Sequence, residues 1–215
     1  MNEDPFSSSA EARLSSFFGW IKSNLISIGT ILALIVGFFF VYLYFQNKKE
    51  KELSEAFDAY QNILQSFNDD GSTLENFSKQ IDSKQASIKK TVYETVADLL
   101  IAKKAFDESN LELAKEKLTK ILSTADNSNN PLHDIAVIRL GYILIQERNF
   151  EEAKKNLASK LDFYEPKRLE LLGDIASFEE SFTAANTYYE QALKATQDQG
   201  FIELMNIKLS LLPSS

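Results

Sequence analysis

The chain has 215 residues, 44% of them hydrophobic and 25% charged, with 23 Lys and Arg against 31 Asp and Glu and a formal net charge of −8. Those proportions belong to a folded protein of one or two domains, and the acidic balance excludes a nucleic-acid binder, which needs a clustered basic surface. The absence of cysteine excludes disulfides, thiol catalysis, thiolate zinc sites and the acylated N-terminal cysteine of a bacterial lipoprotein.

Residues 1–24 form a short N-terminal tail in this reading. From Leu25 to Phe45 run 21 residues, 17 apolar and none charged. As a helix at ~1.5 Å per residue the stretch reaches roughly 31 Å, the thickness of a bilayer core. It is longer than the apolar core of a cleaved signal peptide, and Gln46, Asn47 and Lys48 follow it rather than a small-residue cleavage site. An uncleaved signal anchor is expected, with Trp20 on one side and Tyr42 and Tyr44 on the other as interfacial aromatics. Beyond it, residues 48–215 carry 28 acidic against 21 basic side chains, so residues 46–215 read as an acidic soluble domain. Arg13 and Lys22 before the span, against Lys48, Lys49 and Lys51 after it, weakly favour a cytoplasmic domain. Long domains translocate largely regardless of charge, so this count leaves orientation open. Gly29, Ala33 and Gly37 share one face of the span. They are either ordinary transmembrane small residues or a docking face for a partner's helix.

In the soluble region no segment keeps a period of two, and the helical period is plain. Leu53, Ala56, Phe57, Tyr60, Ile63, Leu64 and Phe67 mark one face of a helix continuing out of the span. The run Asn68, Asp69, Asp70, Gly71, Ser72 ends it. Leu74, Phe77 and Ile81 mark a short second helix. Further helices are expected at about 88–108, 111–125, 132–147, 150–161, 166–178, 182–196 and 201–212, joined mostly by short loops that make neighbours antiparallel. The longest polar interruption is Asp126 to Asn130, before Pro131.

A repeat runs through these helices. Twelve residues after each of Ala102, Gly141 and Gly173 stands an alanine: Ala114, Ala153 and Ala185. Asn110-Leu111, Asn149-Phe150 and Ser181-Phe182 precede the second helix of each pair. A glycine inside a helix costs ~1 kcal/mol against alanine, so two in register predict close helix–helix contacts. This pattern resembles a degenerate tetratricopeptide array over roughly residues 92–198, with Glu50 to Ser83 as a weaker fourth pair. The anchors lie 39 and 32 residues apart, and the Asn-rich loop accounts for the longer interval. The fold class expected is therefore all-α: one N-terminal transmembrane helix followed by a tetratricopeptide-like helical-hairpin solenoid.

No motif carries chemistry. There is no Gly-rich phosphate loop, metalloprotease helix or nucleophile elbow. His133 and Asp134 read as first-turn residues of a helix, and the acidic pairs Asp69-Asp70 and Glu179-Glu180 as turn or solvated-face residues. No enzyme, metal or cofactor is expected. Carried over by register from the tetratricopeptide resemblance, the groove-lining positions are Val96, Leu99, Lys103 and Phe106, then Ile135, Ile138, Tyr142 and Ile145. The third pair offers Lys167, Glu170, Asp174 and Ser177. Two pairs thus present an apolar candidate partner groove and the third a polar one. The alternative is internal core, with the last helix (Phe201, Met205, Leu209, Leu212) either filling the groove or capping the array.

The whole layout is similar to the YfgM family of ancillary SecYEG translocon subunits. The resemblance rests on Phe17-Phe18 before the anchor and on Ala59-Tyr60-Gln61-Asn62 after it. It continues with the run from Arg168 to Asp174 and with Met205-Asn206-Ile207-Lys208-Leu209 near the end. It implies a cytoplasmic N-terminus, an inner-membrane helix and a periplasmic domain. The partners implied are the SecYEG translocon, a PpiD-like membrane-anchored chaperone and nascent envelope proteins. The alternative from another class is a membrane-tethered regulator that sequesters a cytoplasmic signalling protein; an envelope assembly factor would share the topology but differ in partners.

Overall fold

The computed structural model describes residues 5–69, 71–124 and 129–213, the side chains of 5–13 and of Ile28 excepted. Asp70, Ala125 at a predicted helix end, residues 126–128 of the Asn-rich loop and the Arg13 side chain therefore lie outside the described residues. Among the described residues every regular element is an α-helix. The chain divides into two compact units, Met1–Ser54 and Glu55–Ser215.

In the first unit the tail is not irregular: α1 (Pro5–Ser23) is a helix. Proline suits a first helical position because its missing N–H would have no partner there. Three donors converge on the Trp20 carbonyl to close α1: the Asn24 backbone N–H at 3.1 Å, its side-chain amide at 2.9 Å and the Ser23 hydroxyl at 2.9 Å. After Asn24, α2 (Leu25–Phe67) begins, and the uncharged stretch falls within it. None of the most apolar window is buried against protein, as expected of a helix that is hydrophobic all round and meets lipid. Thr30 donates its hydroxyl to the Ile26 carbonyl at 2.9 Å, which satisfies that polar group without water.

In the second unit the last turns of α2 pack on α3 (Leu74–Ile88) through Ala59, Ile63, Phe77 and Ile81. Three helical hairpins follow: α4 (Val92–Asp107) with α5 (Leu111–Ser123), α6 (Pro131–Gln146) with α7 (Phe150–Asn156), and α8 (Glu165–Phe178) with α9 (Phe182–Lys194). The closing helix α10 (Gln199–Ser210) packs on α9. First helices touch first helices (α4 on α6, α6 on α8), and α5 packs on α6, so the hairpins stack as an array.

The three hairpin turns share one geometry. Ser109, Arg148 and Glu180 take the left-handed conformation, with φ of 62°, 58° and 59°. The following N–H of Asn110, Asn149 and Ser181 reaches back to Ala105, Leu144 and Ala176 at 2.7, 2.9 and 2.8 Å. This is the Schellman closure, which satisfies carbonyls orphaned at a helix end. Asn110 and Asn149 then cap α5 and α7 through their side chains. The alignment of Asn110, Asn149 and Ser181 seen in the sequence is this turn.

Two boundaries differ from expectation. The helix predicted from 88 starts four residues later: Ile88 is the last residue of α3, and Thr91 caps the start of α4. The Thr91 hydroxyl accepts from the Tyr93 N–H at 3.2 Å while Glu94 reaches back to the Lys90 N–H at 2.8 Å, a variant of the capping box shifted by one residue at each bond. The predicted helix 150–161 stops at Asn156. There the Asn156 amide donates to the Val137 carbonyl at 2.7 Å, and Arg168 donates to the Leu157 carbonyl at 2.8 Å. Arg168 also forks onto Glu165 at 2.7 and 2.6 Å. These bonds hold residues 157–164 as a folded connector, and α7, with 7 residues against 13 in α5, accounts for the short 32-residue interval between Gly141 and Gly173.

Both repeat glycines are buried where a neighbouring helix presses close. A Cβ on Gly141 would meet Leu157 at 3.2 Å and Leu171 at 3.3 Å, and one on Gly173 would meet the Tyr189 ring at 2.4 Å. In each hairpin the second-helix contact (Leu157, Tyr189) stands one turn beyond the paired alanine. Successive hairpins are also tied by ion pairs, Lys115 to Glu147 at 2.9 Å and Lys154 to Glu179 at 3.0 Å.

Candidate functional site

The first helices α4, α6 and α8 line two adjoining clefts. One, of about 580 Å³, is bounded by Lys103, Phe106, Ile145, Leu171, Asp174 and Phe178. The other, of about 640 Å³, is bounded by Ile135, Ile138, Phe163, Tyr164, Lys167 and Phe201. Arg139 and Tyr142 line both. Their walls are aromatic and still reachable: Phe106 is 40% exposed, Tyr142 39% and Phe178 55%.

Six of the eight sequence-derived groove residues line these clefts: Lys103, Phe106, Ile135, Ile138, Tyr142 and Ile145. Leu99 does not. It is a core residue packed with Ala102, Leu118 and Ile143. Val96 is half-buried and lines neither cleft. Ile138 both lines a cleft and belongs to the core, so groove floor and internal core are the same surface at that point.

Of the third hairpin's polar positions, Glu170 is buried and Lys167 and Asp174, at the cleft edges, are ion-paired. Lys208 of α10 reaches Glu170 at 2.7 Å and Asp174 at 2.6 Å, and Lys167 holds the other Glu170 oxygen at 2.5 Å. The Tyr189 hydroxyl donates to Asp174 at 2.7 Å. Burial, together with the neighbouring Asp174 carboxylate, pushes the Tyr189 hydroxyl far up. Burial opposes the charge on Lys167, but Glu170 and the Tyr142 hydroxyl outweigh it and raise its pKa. Met205 of α10 is fully buried among Leu169, Ala176, Tyr189 and Ala192. α10 therefore caps the end of the array and leaves the clefts open, with Phe201 as one wall.

Arg139 stands at the junction of the clefts. One guanidinium nitrogen donates to the Leu99 carbonyl at 3.0 Å. Burial pulls its pKa below the ordinary value, yet guanidinium stays protonated at any physiological pH. Arg139 is not among the predicted groove residues, although Ile135, Ile138, Arg139 and Tyr142 follow the i, i+3, i+4, i+7 spacing of one helix face. Phe163 and Tyr164 had no such signal, because they reach the cleft from the 157–164 connector.

Elsewhere the residues have structural duties. Asp134 is buried and accepts the Phe163 N–H at 2.9 Å, and His133 lies 3.7 Å from it. Glu179 pairs with Lys154, and Asp69 caps the turn at Gly71. Among the described residues no group of three or more His, Asp or Glu side chains could hold a metal ion. In the anchor, a Cβ on Gly29 or Gly37 would meet nothing within 4 Å, and Ala33 on the same face is exposed.

Comparison with known proteins agrees with this architecture. The tetratricopeptide repeat-like domain family matches residues 19–214. The chain is 25% identical over 196 residues to the ancillary SecYEG translocon subunit of Buchnera aphidicola subsp. Schizaphis graminum, covering 88% of this chain and 96% of that one. It is 24% identical over 188 residues to the protein of the same name from Haemophilus influenzae, covering 87% and 90%. No solved structure gives a significant match. With its stacked hairpins, small residues in register and a match spanning nearly its whole length, the chain belongs to the tetratricopeptide repeat-like family, and its likeness to the YfgM group stands.

Proposed function

We propose that this protein is a non-enzymatic ancillary subunit of the bacterial Sec translocon. It is held in the inner membrane by the 25–45 stretch of α2, with its N-terminus in the cytoplasm and its repeat domain in the periplasm. There it links translocation to folding, receiving newly translocated envelope proteins and passing them to a PpiD-like membrane-anchored chaperone. The names of two relatives that align over nearly their full length support the translocon assignment. The observation that carries the binding role is the open pair of clefts, where Phe106, Tyr142 and Phe178 stay exposed although the array could have buried them. Exposed aromatic walls in a groove are a recognition surface. Gly29, Ala33 and Gly37 supply a second surface, a smooth helix face for a translocon helix.

Affinity purification of the full chain in mild detergent, followed by mass spectrometry, tests the assignment: Sec channel and chaperone subunits are expected, and their absence would overturn it. Topology is tested with single cysteines in this cysteine-free chain. Ser159→Cys in the repeat domain should react with a membrane-impermeant thiol reagent in intact spheroplasts, while Ser8→Cys should not. The reverse pattern would support the cytoplasmic regulator instead.

A further inference from the structure

Among the described residues, each basic side chain lining the two clefts is ion-paired within the protein, with one exception. Lys103 pairs with Asp107 at 2.6 Å, Lys167 with Glu170 at 2.5 Å, and Asp174 with Lys208 at 2.6 Å. Asp198 is occupied as the cap of α10, accepting the Phe201 N–H at 3.0 Å. Arg139 has no carboxylate within ion-pair distance among the described residues; Asp107, held by Lys103, acts on it only from farther off, and its one hydrogen bond goes to a neutral carbonyl. A guanidinium carries five N–H donors in a fixed fork. Most of that fork is therefore unpaired, in a half-buried position where a second charge would be only weakly screened.

Position adds to charge. Arg139 and Tyr142 are the residues common to both clefts, so a ligand lying across the groove passes over Arg139 with an aromatic pocket on each side. Phe106 and Phe178 stand in one pocket, and Phe163, Tyr164 and Phe201 in the other. We propose that Arg139 is a carboxylate receptor for an extended polypeptide segment, binding an Asp or Glu flanked on both sides by large apolar residues. In an extended chain, residues i−2, i and i+2 point to the same side, so the pattern apolar-x-acidic-x-apolar delivers all three side chains to the groove at once. The inference rests on the groove being a partner site, and it names the chemistry of the segment that the site takes.

The test is fluorescence anisotropy with the full chain in nanodiscs and labelled nonapeptides. The reference probe is Gly-Ser-Phe-Ser-Glu-Ser-Leu-Ser-Gly, compared with analogues carrying Gln or Lys at the central position. A charge-assisted bond to a half-buried guanidinium predicts affinity weaker by about tenfold or more for the Gln analogue, and weaker still for Lys. In Arg139→Gln the Glu and Gln probes should bind alike, and Arg139→Lys should keep only part of the preference because it lacks the fork. The Glu-to-Gln change is made on the peptide and cannot disturb the protein's fold, so it holds even if Arg139 variants lose stability. Equal binding of the Glu and Gln probes, both weakened by Phe178→Ala, would overturn the carboxylate receptor while leaving the groove a peptide site. A Glu preference that survives in Arg139→Gln would overturn the role of Arg139. Failure of every probe to bind would overturn both this inference and the groove as a peptide site.

Discussion

The second and third hairpins are built on the same plan and differ in what their first helices meet. Both set a glycine of the first helix against a residue one turn beyond the paired alanine of the second, and both close with a left-handed residue before an Asn or Ser cap. Yet the second hairpin turns Ile135, Ile138 and Tyr142 toward an open cleft. The equivalent face of the third turns Glu170 into its junction with α10, where Lys208 and Lys167 neutralise it, while Asp174 at the cleft edge is also held by Lys208. The residues that make a hairpin are thus separate from those that decide what its outer face meets. An apolar face left open serves as a surface, whereas a charged face sealed by a complementary helix serves as the end of the array.

The sharpest way to break this contrast is within the second hairpin. Ile138 is 7% exposed and Tyr142 39%. Ile138→Ser should lose about 3–5 kcal/mol of stability, since it leaves a cavity and buries a hydroxyl. Tyr142→Ser should cost under about 1 kcal/mol while weakening peptide binding. Thermal and chemical denaturation of the two variants give the comparison. Similar large losses for both would make the second hairpin's face as closed as the third's.

In the third hairpin, Lys208→Met leaves Glu170, 2% exposed, with Lys167 alone. A loss of about 2–3 kcal/mol is expected, because a buried carboxylate loses half of its compensation. Earlier hydrogen exchange in α10 than in α8 should accompany it. Unchanged stability would mean that α10 is not the seal of the array.

The glycines separate the hairpins more finely. Gly173→Ala places a methyl group against the Tyr189 ring, and overpacking of this kind costs about 1–3 kcal/mol. Gly141→Ala meets only the tips of Leu157 and Leu171. There the ~1 kcal/mol gain in helix propensity offsets the squeeze, so its midpoint of denaturation should stay close to that of the parent.

The smallest effect is pH dependence at the joint between the two hairpins. Burial pushes the Glu165 carboxyl up, but the Arg168 fork and the Leu161 N–H overcome it and hold its pKa below the ordinary value. A carboxylate depressed in the folded state stabilises above its unfolded pKa, about 4.3, and that contribution is lost as pH falls through the folded value. Melting temperature should therefore drop below about pH 4.3, and Glu165→Gln should flatten that limb of the curve.

The helical period and the small residues twelve apart belong to the chain itself, so the array, its three hairpins and the apolar span are legible without coordinates. Short-range rules suffice there: a helix face repeats every three to four residues, and 21 uncharged residues have few alternatives to lipid. The caps at Thr91 and Glu94 are equally local, and they place the start of the helix predicted from 88 at Val92. The early end of α7 was not local, since it depends on Asn156 reaching Val137 and on Arg168 reaching Leu157.

The groove divides the same way. Register alone placed Lys103, Phe106, Ile135, Ile138, Tyr142 and Ile145 on the faces that line the clefts. Only packing decided that Leu99 turns into the core, that Phe163 and Tyr164 come in from a connector, and that Lys208 covers Glu170 and Asp174 across 38 and 34 residues of chain. Such contacts pair charges and fill space between segments far apart in sequence, and no periodicity within either segment encodes them. The net charge of −8 argues against nucleic acid from the sequence alone. It took the tertiary structure to show that Arg139 is the one basic side chain of the clefts outside an ion pair among the described residues, because which charges meet across helices is decided by packing.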